Sequence, residues 1–353
     1  MVTSEDQVRE LAASIVSVDQ DAAQQARARH EMLTKPSGSL GRLEDIGIQL
    51  AAVAGSCPPP VPGRPEVVVA AGDHGVLCQG VSPWPQEVTA LMVRAFCEGR
   101  AAVNALARVV GAQVTVLDVG VARDLDPHPR LKCRKVRPGT DDLSQGPAME
   151  RTQAADAILI GANVARSAMA KGADLLVTGE MGIANTTAAA CLISAFTGAG
   201  PREVTGRGTG IDDATWEVKV KVVEAAVRCN RPDPGDPIGT LAALGGLEHA
   251  ALVGVILAGA AQKVPVILDG VSTNAAAIVA CALAPQVSGY LLAGHRSVEP
   301  GASVALSSLG LEPLLDLALR LGEGTGGLLA VPIVRAAAAA LADMATFQEA
   351  GIG

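Results

Sequence analysis

The chain has 353 residues, of which 49% are hydrophobic and only 2% aromatic, and it carries a formal net charge of −8. This length suits one large α/β domain with a smaller appendage. Proteins that bind nucleic acids usually need a basic surface and stacking aromatic side chains, so the composition argues against a nucleic-acid partner.

The cysteines and the apolar segments indicate the cellular compartment of the protein. Its seven cysteines are scattered, without a Cys-x-x-Cys pair or a cysteine–histidine cluster at zinc spacing. This pattern predicts reduced thiols and no bound metal. The N-terminus lacks the apolar stretch of a signal peptide, and the longest helix-like apolar run, residues 250–261, is too short to cross a bilayer. We therefore expect a cytoplasmic protein without a membrane partner.

The first sixty residues predict helices. Residues 4–33 are rich in helix formers, and a loop at residues 35–44 leads into a second helix. Residues 57–63, CPPPVPG, predict a stiff and extended connector. We place a boundary here, between an N-terminal helical segment, residues 1–60, and the main domain.

From residue 66 onward, short aliphatic runs alternate with helical stretches, which is typical of a buried parallel sheet. Five strands are predicted, at residues 67–71, 114–117, 175–178, 266–268 and 290–293. Right-handed crossovers place the carboxyl ends of such strands at one edge, where ligands bind in open α/β sheets. We expect that edge to collect six polar residues: Asp73, His74, Asp118, Glu180, Asp269 and His295.

The C-terminal part predicts helices again, at residues 311–321 and 334–347. These helices could pack with the N-terminal ones into a small helical domain. The predicted organisation is therefore an α/β domain at residues 61–310, with a parallel sheet flanked by helices, and a small domain built from residues 1–60 and 311–353.

A Gly-rich loop at residues 179–187 follows one predicted strand and opens a helix. Asn185 or Thr186 is a candidate N-cap, and Gly182 leaves room for an anion against free backbone amides. The same residues suit an ordinary strand-to-helix turn with a good cap, and the sequence alone does not decide between the two.

A second Gly-rich loop, residues 206–212, contains Gly208 and precedes a helix that carries Lys219. Most such glycine runs are only turns. Two loops of this kind facing each other beside a lysine would suit a phosphate monoester.

Later strand ends carry further polar residues. Asp269, followed by Gly270, could cap the next helix or accept hydrogen bonds from ribose hydroxyls, and Ser297 could bind phosphate. His74 and His295 could act as acid or base, or could be structural. A histidine–aspartate pair could bind a metal, but three ligands at a suitable spacing are missing, so we expect none.

Trp84 lies in a loop framed by prolines, before a helix that contains Met92. In a chain with so few aromatic residues, a tryptophan in a loop could form a platform for a flat ligand. It could equally fold onto its own domain.

Glu323 stands between glycines in the sequence LGEGTGG, residues 321–327. It is either a loop residue facing water or a base held in a tight pocket. The string Gly322-x-Gly324-x-x-Gly327 matches the dinucleotide fingerprint, which requires a preceding strand in an early βαβ unit. Because we predict a helix at residues 311–321, we reject that interpretation. The P-loop pattern is also absent, so no cofactor is expected.

Together these motifs closely resemble those of the nicotinate-nucleotide:dimethylbenzimidazole phosphoribosyltransferase family, which acts in the assembly of the lower ligand of cobalamin. The resemblance covers essentially the whole chain. The matching segments are KPSGSLG (35–41), AGDHGV (71–76), PQEVT (85–89), GEMGIANTT (179–187), DG (269–270), His295 with Ser297 and Glu299, and LGEGTG (321–326).

The resemblance implies a Rossmann-like large domain, a homodimer, and transfer of phosphoribose from nicotinate mononucleotide to dimethylbenzimidazole. It implies that Glu323 is the general base and that Glu180 lies near the reacting centre. Trp84 and Met92 match the wall of the benzimidazole pocket. The expected phosphate and ribose contacts are Gly182, Asn185, Thr186, Gly208, Lys219, Asp269, Gly270 and Ser297.

The chemistry of the residues agrees with this interpretation. Benzimidazole must lose its N–H proton, which a buried carboxylate of raised pKa can accept near neutral pH. Two alternatives stay open: a protein that binds nicotinate mononucleotide without catalysis, and a nicotinamide-dependent oxidoreductase. The residues around Trp84 leave the acceptor open as well, since it could be another benzimidazole or a purine.

Overall fold

The computed structural model describes residues 2–352. Its centre is a parallel sheet of seven strands in the order β3-β2-β1-β4-β5-β6-β7. This confirms the predicted α/β fold with a Rossmann-like sheet. The strands are β1 (Pro65–Gly72), β2 (Gln113–Gly120), β3 (Leu131–Cys133), β4 (Leu175–Met181), β5 (Val266–Leu268), β6 (Leu291–His295) and β7 (Pro313–Leu315).

All five predicted strands are present, and the two strands at the edges of the sheet, β3 and β7, were not predicted. Both β3 and β7 have only three residues, and each pairs with a single neighbouring strand. Strand β5 is equally short but reads VIL, whereas β3 and β7 read LKC and PLL and do not stand out as β-branched aliphatic runs. The strand order reverses between β1 and β4, so a crevice for a ligand is expected outside these two strands.

Helices surround the sheet on both faces. Their bounds are α1 (Ser4–Ala13), α2 (Gln20–Met32), α3 (Arg42–Ala54), α4 (Glu87–Glu98), α5 (Ala102–Val110), α6 (Arg151–Ala170), α7 (Asn185–Thr197), α8 (Pro201–Val204), α9 (Asp213–Asn230), α10 (Pro237–Leu244), α11 (Leu247–Ala261), α12 (Val271–Leu283), α13 (Pro300–Ser308) and α14 (Thr325–Asp343). Two short 3₁₀ helices span Gly75–Gln79 and Pro285–Tyr290.

Alternate residues of each strand face two different layers of helices, as the pleat requires. In β1, Val68 and Ala70 belong to a core with α6, α7, α11 and α12. Val67 and Val69 face the opposite core, which includes residues of α3, α4, α5 and α14. The strands are therefore buried on both faces, which explains their continuous aliphatic sequences.

The helix predicted at residues 311–321 is wrong. Residues Pro313–Leu315 form the edge strand β7 instead, and residues 316–324 continue as irregular chain up to α14. Proline has no N–H for a helical hydrogen bond, and an edge strand tolerates it. The sheet thus continues past the predicted domain boundary at residue 310. The last helix also begins earlier than predicted, at Thr325 rather than at residue 334.

Helix α14 joins the sheet to the N-terminal helices. Its first half contains Leu328 and Val331, which pack in the core of the sheet. Near its far end, Leu341 packs in a small cluster with Ala26 of α2, Ala51 of α3, and Leu33, which directly follows α2. Both chain ends therefore meet, as expected for a small domain, but one helix belongs to both units. The division at residues 60 and 310 stays a prediction.

By length and composition, α14 is the one helix among residues 2–352 that could cross a membrane, with a mean hydropathy of 1.6. This helix was not predicted as a possible span, because the helix predicted from the sequence began only at residue 334. More than half of its most apolar window, 56%, is buried inside the protein. Since those residues pack against the sheet and α3, we interpret α14 as a core helix.

Candidate active site

A cavity opens at the carboxyl ends of β4, β5 and β6, on the edge that the sequence analysis predicted. The loops after these strands and the loop at residues 206–211 line it. Eight of the residues singled out from the sequence contribute to its wall: Glu180, Gly182, Asn185, Thr186, Gly208, Gly270, His295 and Ser297.

The turn after β4 lies directly on the end of β1. A Cβ on Gly182 would overlap the carbonyl oxygen of Gly72 and would lie 3.3 Å from Nε2 of His74. Helix α7 begins at Asn185 after Ala184, which adopts a left-handed φ of 74°. The predicted N-cap role of Asn185 or Thr186 is therefore wrong, because Ala184 occupies that position and caps nothing with its side chain.

Asn185 instead contacts the buried carboxylate of Glu180. The Asn185 amide donates a hydrogen bond to Oε2 of Glu180, and only 9% of Glu180 is exposed. Burial raises the pKa of Glu180 well above its usual value, and the nearby carboxylate of Asp269 raises it further. The protein surroundings of Glu180 therefore favour its protonated form.

The two Gly-rich loops meet across one end of the cavity. Nζ of Lys219, on α9, donates to the hydroxyl of Thr186 at 2.8 Å. The amide of Gly208 donates to Oε1 of Glu299 at 2.7 Å. Lys219 is only 2% exposed, and its burial lowers its pKa to about 8. Lys219 thus stands behind the wall formed by Thr186 and Gly208, rather than in the wall itself.

Two arginines that the sequence analysis did not select also line this end of the cavity. They are Arg207, beside Gly208, and Arg320, whose guanidinium donates to the carbonyl of Gly208 at 3.3 Å. Arginines in loops are common in any sequence. Arg207 and Arg320 differ from the other arginines only because the fold brings their two loops together at the cavity.

Glu323 lies in the loop before α14, with a positive φ of 63°, which is unusual for a residue other than glycine. It is only 4% exposed, and its Oε2 atom has no hydrogen-bond partner. Burial raises its pKa to about 7, although the nearby amide of Val103 acts in the opposite direction. Glu323 is therefore a buried carboxylate with a free oxygen, and the interpretation as a solvated loop residue is wrong.

The glycines around Glu323 do not form a dinucleotide site, although the reason given from the sequence was wrong. A strand, β7, does precede this loop and a helix follows it. The amides of Gly324, Gly326 and Gly327, which would bind a pyrophosphate, donate instead to the carboxylate of Asp269, at 2.9, 2.7 and 3.1 Å. With these donors engaged by an internal anion, an oxidoreductase of this type is not supported.

The carboxylate of Asp269 is therefore engaged within the protein, and Asp269 does not line the cavity. It is 1% exposed, and Nε2 of His295 lies 3.3 Å from its Oδ1 atom. His295 reaches the cavity wall but is 2% exposed, and its ring fills the space where a Cβ on Gly326 would lie. We interpret His295 as a structural residue.

Trp84 and Met92 lie outside the lining of this cavity. Trp84 is half exposed, and Met92, on α4, is partly buried against the core that contains Val69 and Val93. Helix α4 does contact the Gly182 turn, because the amide of Ile183 donates to the hydroxyl of Thr89 at 3.1 Å. Their place in the acceptor pocket stays a prediction.

Behind the Gly182 turn, His74, Glu248 and His249 form a cluster closed to solvent. Nε2 of His74 and Nδ1 of His249 lie 2.8 and 2.7 Å from Oε1 of Glu248. Burial opposes charge on His74 and Glu248, but the Glu248 carboxylate raises the pKa of His74, and the two histidines hold the pKa of Glu248 well below its usual value.

The ligand atoms of this cluster lie within 4.8 Å of one another. A structural zinc has four protein ligands, and a catalytic zinc keeps one position open to water. Three enclosed side chains offer neither arrangement. We interpret the cluster as a charged hydrogen-bond network that supports the turn.

The chain is similar to known proteins over almost its full length. A family model described as phosphoribosyltransferase matches residues 15–352. The nicotinate-nucleotide–dimethylbenzimidazole phosphoribosyltransferase of Salinispora tropica is 53% identical, over 96% of this chain and 97% of the relative. That of Chloroflexus aggregans is also 53% identical, over 95% of each chain. The crystal structure of the Thermus thermophilus enzyme matches with a TM-score of 0.91 and 48% identity, over 95% of this chain and 99% of that chain.

We predict that Gly182→Ala destabilises the protein by about 1–3 kcal/mol, because the added methyl group forces the turn away from β1. The control is Gly200→Ala, at a position where a Cβ would meet no atom within 4 Å. Urea unfolding of both variants measures the difference. Equal stabilities would contradict the close approach of the Gly182 turn to Gly72.

Proposed function

The chain belongs to the nicotinate-nucleotide:dimethylbenzimidazole phosphoribosyltransferase family, and we propose that Glu323 is the general base of its reaction. The enzyme transfers phosphoribose from nicotinate mononucleotide to dimethylbenzimidazole, which gives α-ribazole 5′-phosphate and nicotinate for the lower ligand of cobalamin. Membership of a family of transferases decides against a protein that only binds the nucleotide.

The reaction defines what the site must supply. One nitrogen of the acceptor attacks the anomeric carbon, the bond from that carbon to the pyridinium nitrogen breaks, and the other acceptor nitrogen loses its proton. The departing nicotinate takes the bonding electrons and leaves with a neutral ring nitrogen, so the leaving group needs no acid. Attack opposite to the leaving group turns a β donor into an α product.

The observation that carries the proposal is the buried Glu323 carboxyl with an unpartnered oxygen and a pKa of about 7. A base whose pKa lies near the working pH combines an ionised population with a strong affinity for the proton. Its φ of 63° and the glycines on both sides indicate that this position serves a purpose other than stability.

We propose that Glu180 stabilises the positive charge that develops on the ribose. The pKa of Glu180 is raised in the protein without substrate, and this is compatible with the proposed role. The pyridinium ring of the bound donor is a nearby cation, which lowers the pKa of a carboxyl group and favours its ionised form. The ionised group can then stabilise an oxocarbenium-like transition state.

We assign the phosphate to the end of the cavity where the two Gly-rich loops meet. Thr186 and Ser297 line this end, Gly208 lines it with its amide engaged by Glu299, and Lys219 stands directly behind it. Arg207 adds a second cation beside it. Gly182, Asn185 and Gly270 are then left for the ribose, between the phosphate end and Glu180.

We also propose that the enzyme is a cytoplasmic homodimer. Large apolar side chains are exposed beside the cavity and on the neighbouring helix α4, including Trp84, Leu91 and Leu321 at 50%, 62% and 56%. Such side chains are often covered by a protein partner. Sedimentation velocity should give twice the mass of the chain at micromolar concentration, and a monomer under these conditions would contradict the proposal.

We predict that Glu323→Gln lowers turnover by about 10² to 10⁴-fold, because the acceptor proton has no base. The affinity for nicotinate mononucleotide should stay within about twofold of the original, since the base does not hold the nucleotide. The assay combines the nucleotide with a panel of benzimidazoles and purines and identifies the products by mass. Glu312→Gln is the control, with a side chain that is 73% exposed. Full turnover in Glu323→Gln would refute the base assignment.

The pH dependence follows from the same residue. Only ionised Glu323 can accept a proton, so activity should be present above pH 7 and should fall as the pH drops through about 7. The free acceptor also titrates, so the profile is measured as kcat at saturating substrate. A profile that stays flat from pH 8 to pH 5.5 would argue against Glu323.

A further inference from the structure

A third buried carboxylate, that of Asp269, lies directly beneath the Glu323 loop. Asp269 follows β5, and its side chain is closed to solvent. Its Oδ2 atom accepts from the amide of Gly324 at 2.9 Å, and its Oδ1 atom accepts from Gly326 and Gly327 at 2.7 and 3.1 Å. Both oxygens are thus engaged by the protein itself.

These bonds replace an N-cap that the sequence around α14 does not contain. The N-cap position is Gly324, which has no side chain to accept from the first amides of the helix. A carboxylate at this end interacts favourably with the helix dipole, and its charge strengthens each hydrogen bond. Asp269 therefore accepts from the first amides of α14, starting with Gly324, the residue directly after the proposed base.

Asp269 is itself fixed from the opposite side. Its backbone amide donates to the hydroxyl of Thr273 at 2.9 Å, and this hydroxyl donates to the carbonyl of Gly270 at 3.0 Å. His295 packs against both Asp269 and Gly326. The result is a continuous series of contacts from the end of β5 to the Glu323 loop.

The charge of Asp269 acts on the same two carboxyl groups that we assign to the chemistry. After burial itself, Asp269 is the largest influence that raises the pKa of Glu180. It also raises the pKa of Glu323. The geometry and the electrostatics therefore point in the same direction.

We propose that Asp269 is a positioning residue, which holds the Glu323 loop on the sheet through the amides of Gly324, Gly326 and Gly327 and does not contact the ribose. This inference rests on the proposed function, in that Glu323 is the group being positioned. It reassigns a residue for which the sequence suggested a substrate contact.

The test is Asp269→Asn, which keeps the shape of the side chain but removes the charge and one acceptor. We expect kcat to fall about tenfold to a hundredfold, as for a displaced catalytic group. The dissociation constant of nicotinate mononucleotide, measured by calorimetry, should change less than about twofold. The acidic limb of the kcat profile should move to lower pH, because Glu323 loses a neighbouring negative charge. Asp316→Asn is the control. Its side chain is 67% exposed, and it lies in the irregular segment that leads to Glu323.

Weaker nucleotide binding with an unmoved acidic limb would overturn the proposal, because that result describes a ribose contact. Unchanged kcat would also overturn it. These outcomes are separate from those for the base, since an inactive Glu323→Gln beside a normal Asp269→Asn refutes only the positioning role.

If Asp269→Asn does not fold, Thr273→Val is the second variant. It removes the hydroxyl that holds the backbone of Asp269 but leaves the carboxylate in place. We expect a smaller fall in kcat with unchanged nucleotide affinity. Full turnover in Thr273→Val would then overturn the proposal.

Discussion

The backbone of the Glu323 loop lies directly on β1 and β4, the two strands between which the strand order reverses. Two glycines make this approach possible. A Cβ on Gly179 would lie 2.7 Å from the carbonyl oxygen of Glu323, and one on Gly324 would lie 2.6 Å from a methyl group of Val67. Because no side chain fits between loop and sheet, the rigid sheet sets the position of Glu323. The Gly182 turn lies on the same edge, so the two carboxylates assigned to the chemistry share one support.

Three buried carboxylates in one region cost the fold stability. A carboxyl group whose pKa is raised in the folded protein destabilises it when ionised. For Glu323, stability is therefore lost as the pH rises from its usual pKa of 4.5 through about 7. Asp269 offsets part of this cost through its three amide hydrogen bonds, while its charge keeps Glu323 basic. The same charge that stabilises the loop thus makes the neighbouring carboxyl group a better proton acceptor.

Local patterns in the sequence were sufficient for much of this structure. Five strands were predicted because each is a continuous aliphatic run, which is typical of strands buried on both faces. Their carboxyl ends were correctly placed at one edge, so Glu180, Asp269 and His295 were expected near one another. The errors occurred where local signals were ambiguous. Residues 311–321 have leucines at a spacing that suits a helix. In the structure, Pro313 and Leu315 instead pair with β6 at the edge of the sheet, where a proline is tolerated.

The roles of individual polar groups depend on tertiary contacts rather than on local sequence patterns. The sequence by itself determined the fold class, the family and the residues gathered at the sheet edge, because these depend on periodicity and on short motifs. Only the tertiary structure decided which anion occupies the amides at the start of α14. Asp269 and Gly324 are 55 positions apart, and the sequence contains no local sign of their contact. Free amides at a helix end bind whichever anion the fold brings within reach, and that choice depends on how β5 and α14 pack together.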